Sequence, residues 1–188
     1  MSTSPGTGQY HHGDLRRALL DAAMDMLEHE GAAGIGLREL ARVVGVSPAA
    51  PYRHFDSKTA LLEVLAVTGF QRFTLAVNAA AGGDTGAGDR LNAMGRAYVR
   101  FALANPNLFR LMFSPELKRS GRPNLRMAAD AAFATLREAT AAQADGRIAA
   151  LKAWSQVHGL AVLLLDGQIA LRDGEDADAV IAAVISVA

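Results

Sequence analysis

From Gly13 the chain sets apolar side chains among charged ones at three- and four-residue steps. In GDLRRALLDAAMDMLEHEG the recurring apolar positions are Leu15, Leu19, Ala22 and Met26. That spacing predicts an amphipathic helix of about four turns. Asp14 stands near its start, where an anion suits the helix dipole, and Gly31 is placed to end it as a left-handed cap. A Gly-rich connector, GAAGIG, leads to a second, short helix from Leu37 to Val44, and Gly45, Val46 and Ser47 form a three-residue break. Ser47 is suited to cap a third helix, PAAPYRHF, which opens on Pro48; Pro51 within it predicts a tight or slightly irregular backbone. Asp56 or Ser57 caps a fourth helix running to about Ala81, with Leu61, Leu62, Leu65, Phe70 and Phe73 on its apolar side. GGDTGAGD, residues 82 to 89, breaks the pattern and reads as a loop. Further helices are expected over residues 89–104, around 106–113, over 125–144 and 147–171, and from Glu175, with a polar loop at 114–124. The fold class is all-α, with about nine helices.

Composition narrows the chemistry. The 188 residues include 38 Ala and no Cys, which favours helices and removes disulfides, thiolate metal sites and thiol nucleophiles. Nineteen basic side chains against nineteen acidic give no net charge, which argues against sequence-blind nucleic-acid binding but leaves room for a local basic patch. The longest stretch free of Asp, Glu, Lys and Arg in the C-terminal third, Ala153 to Leu165, has thirteen residues; a bilayer span needs about 20, so it reads as a buried helix. The opening MSTSPGTGQYHHGD carries no secretory pattern, and the cytoplasm is the expected location. His11, His12, His29, His54 and His158 form no His-Glu-x-x-His or Glu-x-x-His pairing, and there is no Gly-x-Ser-x-Gly, phosphate loop or dinucleotide fingerprint. Catalytic residues, a metal site and a cofactor are therefore not expected.

Two short helices joined by three residues, with small side chains at the crossing, make a helix-turn-helix pattern. Ala41 is small where the next helix passes, Gly45 can take the positive φ of the turn, Val46 can turn inward, and Leu40 and Val44 supply a buried face. Just after the turn, Tyr52, Arg53, His54 and Lys58 crowd hydroxyl, guanidinium, imidazole and ammonium donors together, and from Leu37 to Lys58 four basic side chains face two acidic ones. Such donors, with the N-terminus of the fourth helix beside Lys58, suit phosphates. Phe55 reads as core.

These residues resemble the TetR/AcrR-type bacterial transcriptional regulators, over HHGDLRRALLDAAMDMLEHEG, LRELARVVGVS and PYRHFDSKTALL, about residues 10 to 73. Trp154, His158 and Gly159 resemble the Trp-x-x-x-His-Gly signature of one branch of that family. The resemblance implies a helix-turn-helix DNA-binding domain over residues 10–60 and a helical ligand-binding and dimerisation domain over 61–188. It further implies a homodimer that binds a palindromic double-stranded operator, represses transcription and is released by a small-molecule effector, with no membrane role. Carried onto this chain, Pro48, Ala49 and Ala50 match positions that face base edges, where apolar side chains suit thymine methyls. Arg38 matches a position that reaches either a guanine or a phosphate. Tyr52, His54 and Lys58 match phosphate-contacting positions, and Ser47 and Arg53 complete the set. Two residues depart from the pattern. Gly36 stands where Ser or Thr often caps the second helix, and Pro51 replaces the more frequent Leu.

For the second half, Phe101, Phe109, Leu111, Met112, Phe113, Met127 and Phe133 form an aromatic and Met-rich set that either lines an apolar pocket or is ordinary core. Trp154 and His158 lie on one helical face. They either reach the same cavity, or His158 bonds a backbone carbonyl while Gly159 allows close packing. Phe101, Phe109, Met112, Phe113, Trp154 and His158 are the effector-pocket candidates. Arg96 and Arg100 could partner an anionic ligand or lie at the surface. The helix from Arg147 is apolar almost all round after Val157, which predicts burial against a second subunit, with the final helix completing a four-helix interface.

Overall fold

The computed structural model describes residues 12–82, 86–118, 121–170, 172 and 174–186. Residues 10 and 11 of the expected first domain, the side chains of His12 and Asp14, the middle of the 82–89 loop, residues 119–120 and Leu171 lie outside the described residues. The described residues form eight α-helices and one 3-10 turn, with no strand. The chain divides into two compact units, Met1–Leu65 and Ala66–Ala188.

In the first unit, α1 spans His12–Gly34 and buries Leu19, Ala23, Met26 and Leu27. Gly31 takes the positive φ expected of it, 72°, but bends the helix instead of ending it, and helical backbone resumes as far as Gly34. The GAAGIG segment is thus mostly helical, and only Ile35 and Gly36 separate α1 from α2, Leu37–Val44. Gly36 begins α2 in extended backbone with no side-chain cap. Gly45 closes it at φ 75°, and the Val46 amide donates to the Ala41 carbonyl at 2.9 Å.

The segment read as a short α-helix from Pro48 to Phe55 is a turn at 48–50 followed by a 3-10 turn, Pro51–Arg53. Pro51 has no N–H to give the Ser47 carbonyl; the Ala50 amide takes that acceptor at 2.9 Å, one residue tighter than an α-turn. Ser47 therefore does not cap a helix as expected: Ala50 stands at the start of the 3-10 turn, and the Ser47 hydroxyl has no hydrogen-bond partner among the described residues. The next helix, α3 (Lys58–Ala81), is capped by Ser57, whose hydroxyl oxygen accepts the Ala60 amide at 3.1 Å.

In the second unit, α4 (Ala87–Ala104) packs against α5 (Pro106–Met112), α6 (Pro123–Thr140), α7 (Gly146–Leu165) and α8 (Ala177–Ile185). At Gly95 a Cβ would stand 3.1 Å from Ile185 Cγ2 and 3.3 Å from Val157 Cγ1, so α4 meets α7 and α8 closely enough that a side chain there would have to push its neighbours aside. Fully buried side chains such as Leu108 and Phe109 each contribute roughly 1.5–3 kcal/mol on leaving water.

Two helices end earlier than their periodicity predicts. Helix α6 stops at Thr140 because that buried hydroxyl lies within 3.0 Å of the Gly146 carbonyl across a tight reversal, and Asp145 then caps α7 by accepting the Ile148 amide at 3.1 Å. Helix α7 stops at Leu165, where Gly167 at φ 65° closes a Schellman cap in which the Gln168 amide donates to the Leu163 carbonyl at 2.9 Å.

Candidate nucleic-acid interface and ligand cavity

The turn after α2 places its side chains in two sets. Pro48, Ala49, Tyr52 and Arg53 are exposed, as are Ser47 and Arg38, while Ala50, His54 and Lys58 are half-buried. Pro51 and Phe55 face inward, Phe55 at 3% exposure with the Arg16 guanidinium 5.5 Å above its ring. The proline and the phenylalanine thus anchor the loop and leave its polar donors outside.

Charge pairing redistributes the basic residues counted from the sequence. On α2 the Arg42 guanidinium donates to both Glu39 carboxylate oxygens at 3.0 Å through Nε. This hydrogen-bonded pairing pulls the Glu39 carboxyl below its ordinary range and holds Arg42 more firmly protonated. Arg42 is therefore internally neutralised, whereas Arg38 has no hydrogen-bond or ion-pair partner among the described residues. Lys58 does have one: its ammonium donates to the Ala33 carbonyl at 3.0 Å, tying the end of the bent α1 to the start of α3. Two of its three N–H groups remain for another acceptor.

The second unit forms a partly open cavity of about 580 Å³. Four helices line most of it with periodic stripes. Phe70, Phe73 and Val77 come from α3; Leu91, Asn92, Met94 and Tyr98 from α4; Ala129, Ala132, Phe133 and Leu136 from α6; Ala149, Ala153, Trp154 and Val157 from α7. Of the residues expected to form a pocket, Phe113, Phe133 and Trp154 lie on the wall. Phe101, Phe109, Leu111 and Met112 are packed core beside it, each at most 8% exposed, and Met127 is 66% exposed at the surface. They stand off the wall because Phe109 packs its ring on Tyr98 and Phe113, and Phe101 packs on Phe73, so these rings support the lining ones from behind.

His158 is also behind the wall, and its partner is a phenol rather than a backbone carbonyl. Tyr98 Oη lies 2.8 Å from His158 Nδ1 and 3.3 Å from Trp154 Nε1. Indole can only donate, so the phenol oxygen accepts from Trp154, and its O–H donates a hydrogen bond to an unprotonated Nδ1. Burial disfavours the imidazolium and lowers the His158 pKa, in keeping with Nδ1 as acceptor; burial also raises the Tyr98 pKa. The chain Trp154 to Tyr98 to His158 thus locks α4 to α7. Arg100 is spent on Asp178 of α8 at 2.6 Å.

Tyr98 and Asn92 escaped the sequence reading. Their signal was the stripe Leu91, Met94, Gly95, Tyr98 at helical spacing, which marks an inward face without saying whether it meets side chains or space.

A family model described as bacterial regulatory proteins, tetR family, matches residues 19–65, and one described as tetracyclin repressor-like, C-terminal domain, matches residues 91–188, just over half of the chain. The chain belongs to the TetR family of bacterial regulatory proteins. Among curated relatives, the nucleoid occlusion factor SlmA of Aliivibrio fischeri is 38% identical over 98 residues, 52% of this chain and 50% of that protein. This chain thus spans about half the length of the curated relatives it matches. A protein of unknown function from Rhodococcus sp. RHA1 superimposes with a TM-score of 0.84 at 35% identity, covering 96% of both chains. AibR, solved with isovaleryl coenzyme A and operator DNA, has the same fold with a TM-score of 0.66 at 19% identity, over 91% of this chain and 95% of AibR.

Proposed function

We propose that this TetR-family regulator is a repressor that binds a palindromic operator as a homodimer and releases it when a small molecule fills the cavity. One observation carries the reading. Helix α3, whose first residue is Lys58, is also the helix that supplies Phe70, Phe73 and Val77 to the cavity wall. A ligand pressing on those rings acts on the helix that begins where the donor-rich loop ends. Two half-sites must be met about 34–36 Å apart, so a displacement of a few ångströms at each subunit suffices to lose the operator. Arg38, Ser47, Pro48, Ala49, Ala50, Tyr52, Arg53, His54 and Lys58 form the operator surface, within a DNA-binding domain over residues 10–60. The remaining residues, 61–188, serve effector binding and dimerisation.

The dimer reading is supported by α7 and α8. Both leave apolar side chains in water, Leu163 at 44% exposure and Val184 at 38%, and a second copy would bury them. Helices α3 and α7 are long and apolar enough to cross a bilayer by length and composition. Each is accounted for instead by the cavity it lines and, for α7, by the subunit interface, and the cytoplasm is where such a regulator meets its operator.

The coenzyme A thioester bound in the AibR structure is not carried over to this chain. Lys152 is the one cationic side chain among the described lining residues, too little for several phosphates.

The test is selection of bound sequences from a random duplex pool by the purified protein without ligand. A two-fold symmetric motif is expected, with affinity falling steeply with salt. Arg38→Ala is expected to change the preferred sequence, by roughly 1–3 kcal/mol at one base pair if it reads a guanine. Recovery of non-specific DNA alone, at every salt concentration, overturns the operator reading, and a monodisperse monomer at micromolar concentration overturns the dimer.

A further inference from the structure

The cavity's wall selects a ligand class, an inference that rests on the reading of this cavity as the effector site. The chain has one Trp, three Tyr and seven Phe, and six of these rings, Phe70, Phe73, Tyr98, Phe113, Phe133 and Trp154, converge on this one space. At about 580 Å³ it holds on the order of twenty waters at ~30 Å³ each, and most of its wall can give them no hydrogen bond. Two lining residues are charged, Asp130 and Lys152. They are opposite in sign, and both are exposed, so any ion pair with them is screened by water and weak. A carboxylate or ammonium carried inside would be desolvated with no buried counter-charge.

The neutral polar groups on the wall differ in what they already bind and in how far they are buried. The Tyr98 hydroxyl is held between Trp154 and His158, and the Gln156 amide donates to the Val184 carbonyl at 2.8 Å. Three neutral lining side chains have no hydrogen-bond partner among the described residues: Gln143 and Ser186, both exposed to water, and Asn92, half-buried on α4. The Asn92 carboxamide offers one acceptor and two N–H donors without charge.

We propose that the cavity takes an uncharged, ring-bearing apolar molecule with a single neutral hydrogen-bonding group, such as a ketone, ester or alcohol, which Asn92 engages. The rings take the apolar body, Asn92 fixes its orientation, and the neutral wall rejects organic acids and amines of the same shape.

Trp154 is the chain's single tryptophan and lies on the wall, so its fluorescence reports occupancy directly. The experiment titrates the full-length protein with four shape-matched probes: benzylacetone, its isosteric carboxylate hydrocinnamate, phenylpropylammonium and propylbenzene. Benzylacetone is expected to saturate the Trp154 signal at concentrations at least tenfold below either charged probe. Asn92→Leu is expected to weaken benzylacetone about fivefold, the value of one neutral hydrogen bond, and to leave propylbenzene unchanged, which also shows that the variant is folded. A charged probe that binds as tightly as benzylacetone overturns the ligand class while leaving the effector cavity standing. Equal loss of benzylacetone and propylbenzene in Asn92→Leu overturns the role of Asn92. If none of the four probes changes the Trp154 signal, the reading of the cavity as an effector site falls with the proposal.

Discussion

Replacing Tyr98 with Phe removes one oxygen and keeps the ring. The edge-to-face contacts with Phe73, at 4.9 Å between centroids, and with Phe109, at 5.8 Å, are retained, so the substitution isolates the hydroxyl. Two groups lose a partner: Trp154 Nε1, whose bond is long at 3.3 Å, and His158 Nδ1, whose bond is short at 2.8 Å. A satisfied neutral hydrogen bond is worth about 1 kcal/mol net, and a buried group left unpaired costs about 1–3 kcal/mol. Trp154 and His158 are only half-buried, and the cavity can bring water to the indole, so the low end applies. The expected loss is about 1.5–2 kcal/mol. Urea denaturation followed by Trp154 fluorescence should show a lower midpoint with an unchanged slope. A double-mutant cycle with His158→Ala should assign about 1 kcal/mol of coupling to the pair. A loss below about 0.5 kcal/mol, or no coupling, would show that the hydroxyl does not bind these two helices together.

Three further outcomes are expected. Gly45→Ala meets nothing within 4 Å but forces a side chain onto φ 75°, so denaturation should show a cost of about 1–2 kcal/mol from backbone strain alone; a neutral result would mean that the turn relaxes. Lys58→Met removes the bond to the Ala33 carbonyl and should cost about 1 kcal/mol of stability at most, while weakening duplex binding equally for all sequences in a filter or anisotropy assay; unchanged affinity would reduce Lys58 to tying α1 to α3. Because burial keeps folded His158 neutral where the unfolded imidazole, near its ordinary pKa of 6.5, takes a proton, the unfolded chain binds more protons just below that value. Stability should therefore rise with pH through that window and level off above it, and His158→Gln should flatten the rise; equal slopes in the two proteins would remove His158 as the cause.

Much of the first unit was legible because its signals are local. The charge-apolar rhythm of α1, the Gly45 turn and the Ser57 cap each act within four residues of sequence, and backbone geometry answers to them directly. Local chemistry also explains the 3-10 turn in place of the expected α-helix with a tight spot, since two prolines in PAAP remove the donors an α-helix needs. The fate of the charges was less legible. Arg42 and Lys58 look alike to Arg38 in a count of basic residues, yet the first is neutralised by Glu39 and the second is held by a carbonyl 25 residues away.

The sequence by itself determined the helices, the helix-turn-helix pattern and the family resemblance, because each depends on residue type at short spacing. Only the tertiary structure decided which aromatic side chains face space and which face one another. Phe101, Phe109 and Phe113 have the same chemistry, and what separates wall from core is the angle at which α4, α5, α6 and α7 cross. A close approach at Gly95, set by Ile185 and Val157, contributes to that packing. The pairing of Tyr98 with Trp154 and His158, 56 and 60 residues away, likewise exists only once α4 lies on α7. Periodicity reports that a face turns inward; it carries no information about what that face will meet.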